Sequence, residues 1–363
     1  MKIRTLRLGT LSVPLKKPFK TALRTVNEVT TNVVVVETDE GVCGYGEAPP
    51  TAVITGDTNG AIRGAVQERL RPLLTGRDTG NLNELLDIVD SALVHNPSAK
   101  AAVDIALHDL WGKILGKPLY ALLGGTAKSV ETDYTISVNE PEVMVKDSLE
   151  AVADGYSALK IKVGTDSAKD MIRLREIRSA VGKDILLRVD ANQGWTPKQA
   201  VRTIRFFEDE GLDIELVEQP VKAHDFEGLK YVTDSVDTLV LADESVFSAR
   251  DAFTILSMRA ADLINIKLMK TGGIRNALAV CAMARSCEVE CMIGAMMETK
   301  ISVTAAAHLA SALPVITRAD LDPPILCASD PVEGGAVYTG SSVVPSEGPG
   351  LGINNIHGLV LGD

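Results

Sequence analysis

Three acidic residues close three successive strand-like runs: Asp190 ends DILLRVD, Glu218 ends DIELVE and Asp243 ends TLVLAD. Hard carboxylate oxygens delivered by adjacent strands suit Mg2+, an ion that keeps water positions beside its protein ligands. Lysines flank the acids. Lys160 and Lys162 close the preceding run, and Lys267 closes the following one. Residues two apart on a strand face the same way, and inward amines are costly unless charge-paired, so Lys160 and Lys162 point to a polar site. Lys162, nearer the strand end, is the better base, and the like charge of Lys160 is expected to ease its deprotonation. Lys267 falls roughly opposite in an eight-membered ring. Two amines on opposite sides of a bound carbon can remove a proton from one face and return it on the other, which is epimerisation or racemisation. A hydrogen beside a carboxylate leaves only if the second negative charge is stabilised, and a divalent ion gripping that carboxylate does so where the charge grows.

A second group of residues suits a ligand with charged ends. Asp320 and Asp322 close the last strand-like run with one residue between them, so both can face one mouth and hold an ammonium group. Arg24, in KKPFKTALRTVNEV, offers the planar fork that matches a carboxylate. Glu244, beside Asp243, is expected to pair with Lys267.

The elements that must carry these residues follow a regular rhythm from residue 130 onward. The runs ETDYTIS, ALKIKV, ILLRVD, IELVEQ, LVLADES, LINIKL, VECMIGA and VITRAD alternate with amphipathic helices such as SAKDMIRLREIRSAVG. A repeat of roughly 24–28 residues is one β/α unit, and eight units predict an α/β fold of the (β/α)8 TIM-like barrel type over 126–320. A doubly wound open sheet is the rival, weakened by the missing glycine-rich turn after the first strand. Residues 1–125 read as an α+β capping domain. Thr31–Thr38 (TNVVVVET) is a buried strand, Gly41–Ala48 its hairpin partner, and helices are expected near 58–75, 82–93 and 98–115. The Gly- and Pro-rich segment 321–363 is expected to return to the cap.

Composition narrows the partners. A net charge of −11 and a pI of about 5.1 argue against nucleic acid and anionic membranes, yet permit a small anionic ligand at a local cationic site. The five cysteines match no zinc spacing and read as reduced thiols, so a cytoplasmic location is expected. MKIRTLRLGTLSVPL lacks the apolar core of a signal peptide, and no apolar run approaches the ~18 residues of a membrane helix.

Taken together, Lys160-x-Lys162, Asp190-Ala-Asn-Gln-Gly-Trp195, Glu218-Gln-Pro220, Asp243-Glu-Ser245 and Lys267 before Thr271-Gly-Gly273 resemble the enolase superfamily, in its muconate-lactonizing-enzyme subgroup. AVDIALHDLWGKILGKPLYALLGG adds to the match, which spans nearly the whole chain. The resemblance implies a modified barrel under an α+β cap, with Asp190, Glu218 and Asp243 as ligands of one Mg2+. It implies Lys162 and Lys267 as the acid/base pair, with Lys160 helping to stabilise an enolate. An Asp-x-Asp at 320 and 322 is the mark of the subgroup's dipeptide epimerases, where it holds the free amino terminus. Arg24 lies where such enzymes bind a glutamyl side chain. Thr135 and Met297 match substrate contacts, and Asn192, Glu244 and Glu298 match supporting positions. The expected ligand is a small dipeptide, with its terminal carboxylate at Mg2+ and its second α-carbon between Lys162 and Lys267. Murein peptides as the source and a homo-oligomeric state are likewise implied. Other dipeptide specificities are rivals. So are N-acylamino acid racemase, o-succinylbenzoate synthase and muconate cycloisomerase, but these need no ammonium site. A non-catalytic ligand-binding barrel should have lost a lysine or a metal acid, and none is missing.

Overall fold

The computed structural model describes residues 1–362. Its cap is a four-stranded antiparallel sheet in the order Val360–Gly362, Ile3–Lys20, Thr25–Thr38, Cys43–Ala48. The run Val33–Val36 lacks the polar alternation of a one-sided strand because both faces are covered. Val34 and Val36 join Leu6 and Leu8 in a core with the cap helices, whereas Val33 and Val35 join the barrel core. Three contiguous helical segments span Asn59–Leu74, with Leu82–Ser91 following. The long helix Pro97–Leu115 starts on a proline at its first turn and stops at Gly116, whose φ of 65° lies in the left-handed region. It packs so closely on Cys43–Ala48 that a Cβ on Gly46 would stand 1.8 Å from the Ala102 carbonyl oxygen.

All eight expected strand runs form one parallel sheet, adjacent in sequence order: Tyr134–Ile136, Ala158–Lys162, Leu186–Asp190, Ile214–Glu218, Leu239–Ala242, Leu263–Lys267, Glu290–Gly294 and Ile316–Asp320. The ring closes where Thr132 bridges Ala319 and the Asp133 N–H donates to the Ala319 carbonyl at 3.2 Å. Sequential order and closure exclude the doubly wound alternative. After the eighth strand only the short helix Pro323–Leu326 forms, where a regular barrel would place a full one. The chain then runs back through short strand pairs, one of which joins Ser342–Val343 to Val130–Glu131. It ends on the cap, with Val360–Gly362 paired to Leu8–Thr10.

Strand register sets the site. Lys162 lies opposite Asp190, and Asp190 opposite Glu218. Across the ring Lys267 lies opposite Gly294, and Gly294 opposite Asp320. Residues chosen by type in the sequence therefore share one level at the C-terminal rim, where barrel active sites form. All five cysteines are free; Cys281, Cys291 and Cys327 are buried, but Cys287 is exposed, at the turn after its helix. Among the described residues no helix is long and apolar enough to cross a membrane.

Candidate active site

The three acids from the third, fourth and fifth strands are fully buried and linked through amines. Asp190 accepts from Lys162 Nζ at 2.5 Å and from the Asn192 N–H at 2.8 Å. Lys160 Nζ stands 2.6 Å from Glu218, 2.7 Å from Asp320 and 3.3 Å from Asp190. Lys267 Nζ lies 2.7 Å from Asp243 and 3.7 Å from Glu218. The two strands therefore bring Lys162 and Lys267 to opposite ends of the acid row. Lys160 is not an uncompensated charge beside Lys162, as the sequence suggested. Three carboxylates surround it, because its position two residues deeper points it into the barrel. Burial alone would lower the affinity of Lys160 for its proton, but Asp320, Glu218 and Asp190 outweigh it and raise the net value.

Electrostatics within the row are uneven. Burial and the Asp190 charge push Glu218 up to about 7. Burial acts the same way on Asp243, but Lys267 and Lys270 hold it well below the usual carboxylate range. Lys160 lies close to Glu218 Oε2 and Lys270 Nζ lies 2.5 Å from Asp243 Oδ1, yet neither approach has hydrogen-bond geometry. Two buried carboxylate oxygens thus lack a hydrogen-bond donor, one on each of two adjacent expected metal ligands. Together with Asp190 they make an all-oxygen donor set of the kind Mg2+ takes. The amines lie between the acids, so among the described residues no three form a ready coordination shell. The residues fit the ion in type and strand placement.

On the ligand side, a cavity of about 50 Å3 is lined by Lys162, Lys267, Thr135, Met297, Asp320 and Asp322, with Arg24 and Asn192 at its edges. The Thr135 N–H donates to Asp322 at 2.6 Å, so Thr135 orients that carboxylate through its backbone. Burial and Asp320 push Asp322 up to about 7, while Asp320, opposed by burial but facing Lys160, is held at about 2. Arg24 sits on a tight turn, where its N–H donates to Thr21 Oγ1 at 3.2 Å and its carbonyl accepts from the Thr21 N–H at 3.0 Å. Among the described residues its guanidinium has no ion pair or side-chain hydrogen bond, and burial lowers its proton affinity. A partly buried, unpaired fork beside the cavity is what an anionic ligand group requires. The hairpin carrying it is pinned to the barrel, for the Lys20 carbonyl accepts from the Val138 N–H at 3.1 Å and Lys20 Nζ reaches Asn139 at 2.9 Å.

Supporting residues differ in part from expectation. Glu244 does not pair with Lys267, whose ion pairs go to Asp243 and Glu218. Adjacent residues at the end of a strand diverge, and Glu244 instead accepts from Asn192 Nδ2 at 3.4 Å. Burial and Asp243 push Glu244 up to about 8. Asn192 also donates to Asp190, at 3.3 Å, and its φ of 43° lets the chain fold back over that acid. Met297 lines the cavity, and Glu298 lies behind it, accepting from the Met296 N–H at 2.7 Å.

Four groups escaped the sequence reading. Lys270 touches Asp243 and donates to the Asn265 carbonyl at 3.0 Å; its spacing of three from Lys267, one helical turn, was the available signal. Asn265 Nδ2 donates to Glu218 at 2.9 Å, from the same face as Lys267. Gln219 Oε1 accepts from the Asp243 and Ser245 N–H groups at 2.9 and 3.1 Å, which explains why Glu-Gln-Pro and Asp-Glu-Ser occur as a pair of motifs. The Phe19 ring lies 5.9 Å from Lys162 Nζ.

A closed eight-stranded barrel under an antiparallel cap, with three acids between amines on its rim, defines a member of the enolase superfamily. The chain belongs to that family: residues 4–124 match the mandelate racemase / muconate lactonizing enzyme N-terminal domain, and residues 144–355 match the enolase C-terminal domain-like family. Among its relatives, an L-Ala-D/L-Glu epimerase of Clostridium acetobutylicum is 55% identical, over 98% of this chain and 100% of that protein. The L-Ala-D/L-Glu epimerase of Bacillus subtilis is 51% identical over 97% of each. Its substrate-liganded structure superposes with a TM-score of 0.97, covering 98% of this chain and 99% of that one. The dipeptide epimerase of Enterococcus faecalis, solved with Mg and L-Leu-L-Tyr, has a TM-score of 0.94 at 44% identity, covering 98% of this chain and 100% of that one.

Proposed function

We propose that the protein is an L-Ala-D/L-Glu epimerase, an isomerase that inverts the α-carbon of the C-terminal glutamate of a dipeptide by proton transfer between two lysines. The observation that carries this reading is one cavity that joins Lys162 and Lys267, from the second and sixth strands, with an unpaired Arg24 and the Asp320/Asp322 pair. Asp190, Glu218 and Asp243 would hold Mg2+, which supplies positive charge beside the carboxylate as negative charge develops there. The neutral amine of one lysine takes the α-proton, and the ammonium of the other returns a proton to the opposite face. Lys160, held among carboxylates, stays charged close to the developing enolate. Asp320 and Asp322 bind the N-terminal ammonium, and the Thr135 N–H fixes Asp322 for that task. Arg24 binds the glutamyl side-chain carboxylate. Only the second residue inverts, because only its α-carbon adjoins the carboxylate placed between the lysines. The hairpin of Arg24, pinned to the barrel beside the cavity, excludes water that would compete for the proton.

The test is incubation of L-Ala-L-Glu with the Mg2+-loaded protein in D2O. The glutamyl α-hydrogen signal should disappear while the L,D diastereomer accumulates and the alanyl α-hydrogen persists. An unchanged glutamyl signal would exclude this specificity.

A further inference from the structure

We propose that Glu298 works as a neutral carboxylic acid that positions the floor of the site, and that Glu47 of the cap sheet keeps its proton in place. Ser302 Oγ lies 3.1 Å from Glu47 Oε2 and also contacts Glu298 Oε2. A serine hydroxyl carries a single hydrogen and an ionised carboxylate carries none, so two ionised acids cannot both be satisfied there. A proton on one of them supplies the second hydrogen that the two contacts of Ser302 Oγ call for.

The surroundings decide which. Glu47 accepts from the Thr299 and Ser302 N–H groups at 2.7 and 3.1 Å and from Thr299 Oγ1 at 2.9 Å. These donors lie at the start of the helix Lys300–Ala312, where the peptide dipoles favour an anion. Glu298 has one backbone donor, the Met296 N–H. The proton therefore belongs to Glu298, and the chain runs from the Glu298 hydroxyl to the Ser302 oxygen and from the Ser302 hydroxyl to the Glu47 anion. Both acids are buried, and burial with the Glu47 charge pushes Glu298 up to about 8. The other charged or titratable groups facing the pair are Lys267, which opposes that rise, and Cys327, whose thiol feels Glu47.

The consequence reaches the site through the second oxygen. Glu298 Oε1 holds the Met296 N–H, and Met296 and Met297 line the cavity. The cap, which carries Arg24, is thus tied to the floor of the site through the Ser302 hydroxyl. Glu298 touches neither ligand nor acid row, so it is a positioning residue.

Two measurements test this, and the first does not depend on the proposed activity. Glu298 should keep its proton in the folded protein from its ordinary 4.5 up to about 8. In that window this side chain holds one proton more in the folded state than in the unfolded chain, so its contribution to stability is full below about 4.5 and is lost as pH rises through about 8; Glu218, Glu244 and Asp322, also pushed up, add to the same slope. That one proton makes the unfolding constant rise about tenfold per pH unit. In Glu298→Gln the slope read from denaturant titrations should be one proton shallower than in the unsubstituted protein. In Glu47→Gln its upper end should move to lower pH, because the neighbouring charge is gone. The second measurement is rescue: Glu298→Ala should lower kcat/KM on the order of 10²-fold, and Glu298→Gln, an isostere of the neutral acid, should restore most of it. An unchanged slope in both Gln variants would overturn the proposal, as would a Glu298→Gln enzyme as impaired as Glu298→Ala. If L-Ala-L-Glu is not a substrate, the slope alone still decides.

Discussion

Lys162 and Lys267 carry the same amine on different strands, and in the proposed reaction that placement sets the stereochemistry. In the proposed reaction each amine serves one face, so Lys162→Ala and Lys267→Ala should each lower epimerisation by roughly 10²–10⁴-fold. Each variant should still exchange deuterium into the one diastereomer whose proton faces the surviving lysine, as followed by NMR. Inversion persisting in both variants would overturn the pairing. The role proposed for Arg24 is specificity. Arg24→Met should cost roughly 10²-fold or more in kcat/KM on dipeptides ending in glutamate, the loss expected when a buried carboxylate is left unpaired. It should spare L-Ala-L-Leu, and an equal loss on both substrates would refute the role. At this scale the sequence was readable where residue type repeats at the strand period, as with Asp190, Glu218, Asp243 and the lysines. It was unreadable where the partner is remote. Glu47 meets Thr299 across 252 residues, and nothing local marks either as part of a pair. Glu244 was misassigned because neighbouring positions need not share a direction.

Elements carry the register on which those residues depend. The strand Cys43–Ala48 lies under the helix Pro97–Leu115 with glycines at the crossing, and Glu47 sits between them and the barrel. An added methyl at Gly46 would collide with backbone, which cannot move aside as a side chain can. Gly46→Ala should therefore destabilise the protein by about 1–3 kcal/mol, the usual cost of overpacking, with a lower Tm. Gly64→Ala is the control. No atom crowds that position and its φ of −61° is helical, so it should be neutral or stabilising by about 0.5–1 kcal/mol. Equal melting temperatures for the two variants would contradict the close-packing argument. The helix limits were legible to within a few residues because Pro97 and Gly116 punctuate them. The tip of the hairpin was legible only as a loop, since its turn is set by Thr21 and Arg24 bonding each other and by anchorage on residues 137–139.

Across the whole molecule the barrel rhythm was plain in the sequence, because eight strand runs recur at one spacing and each must bury both faces. The division of the cap core was not. Alternate valines of a single run serve two separate hydrophobic clusters, and only the packed molecule shows which valine faces which. The return of the chain to its own beginning was expected, but not its form, a strand of three residues added to the open edge of the cap sheet. That addition has a bearing on biosynthesis. Leu8–Thr10 leave the ribosome long before Val360–Gly362, so while the intervening barrel is made the nascent cap offers unsatisfied amides along one margin. Its finishing strand is made only after every segment of the barrel exists, so the margin of the cap sheet is covered later than the ring beneath it is synthesised.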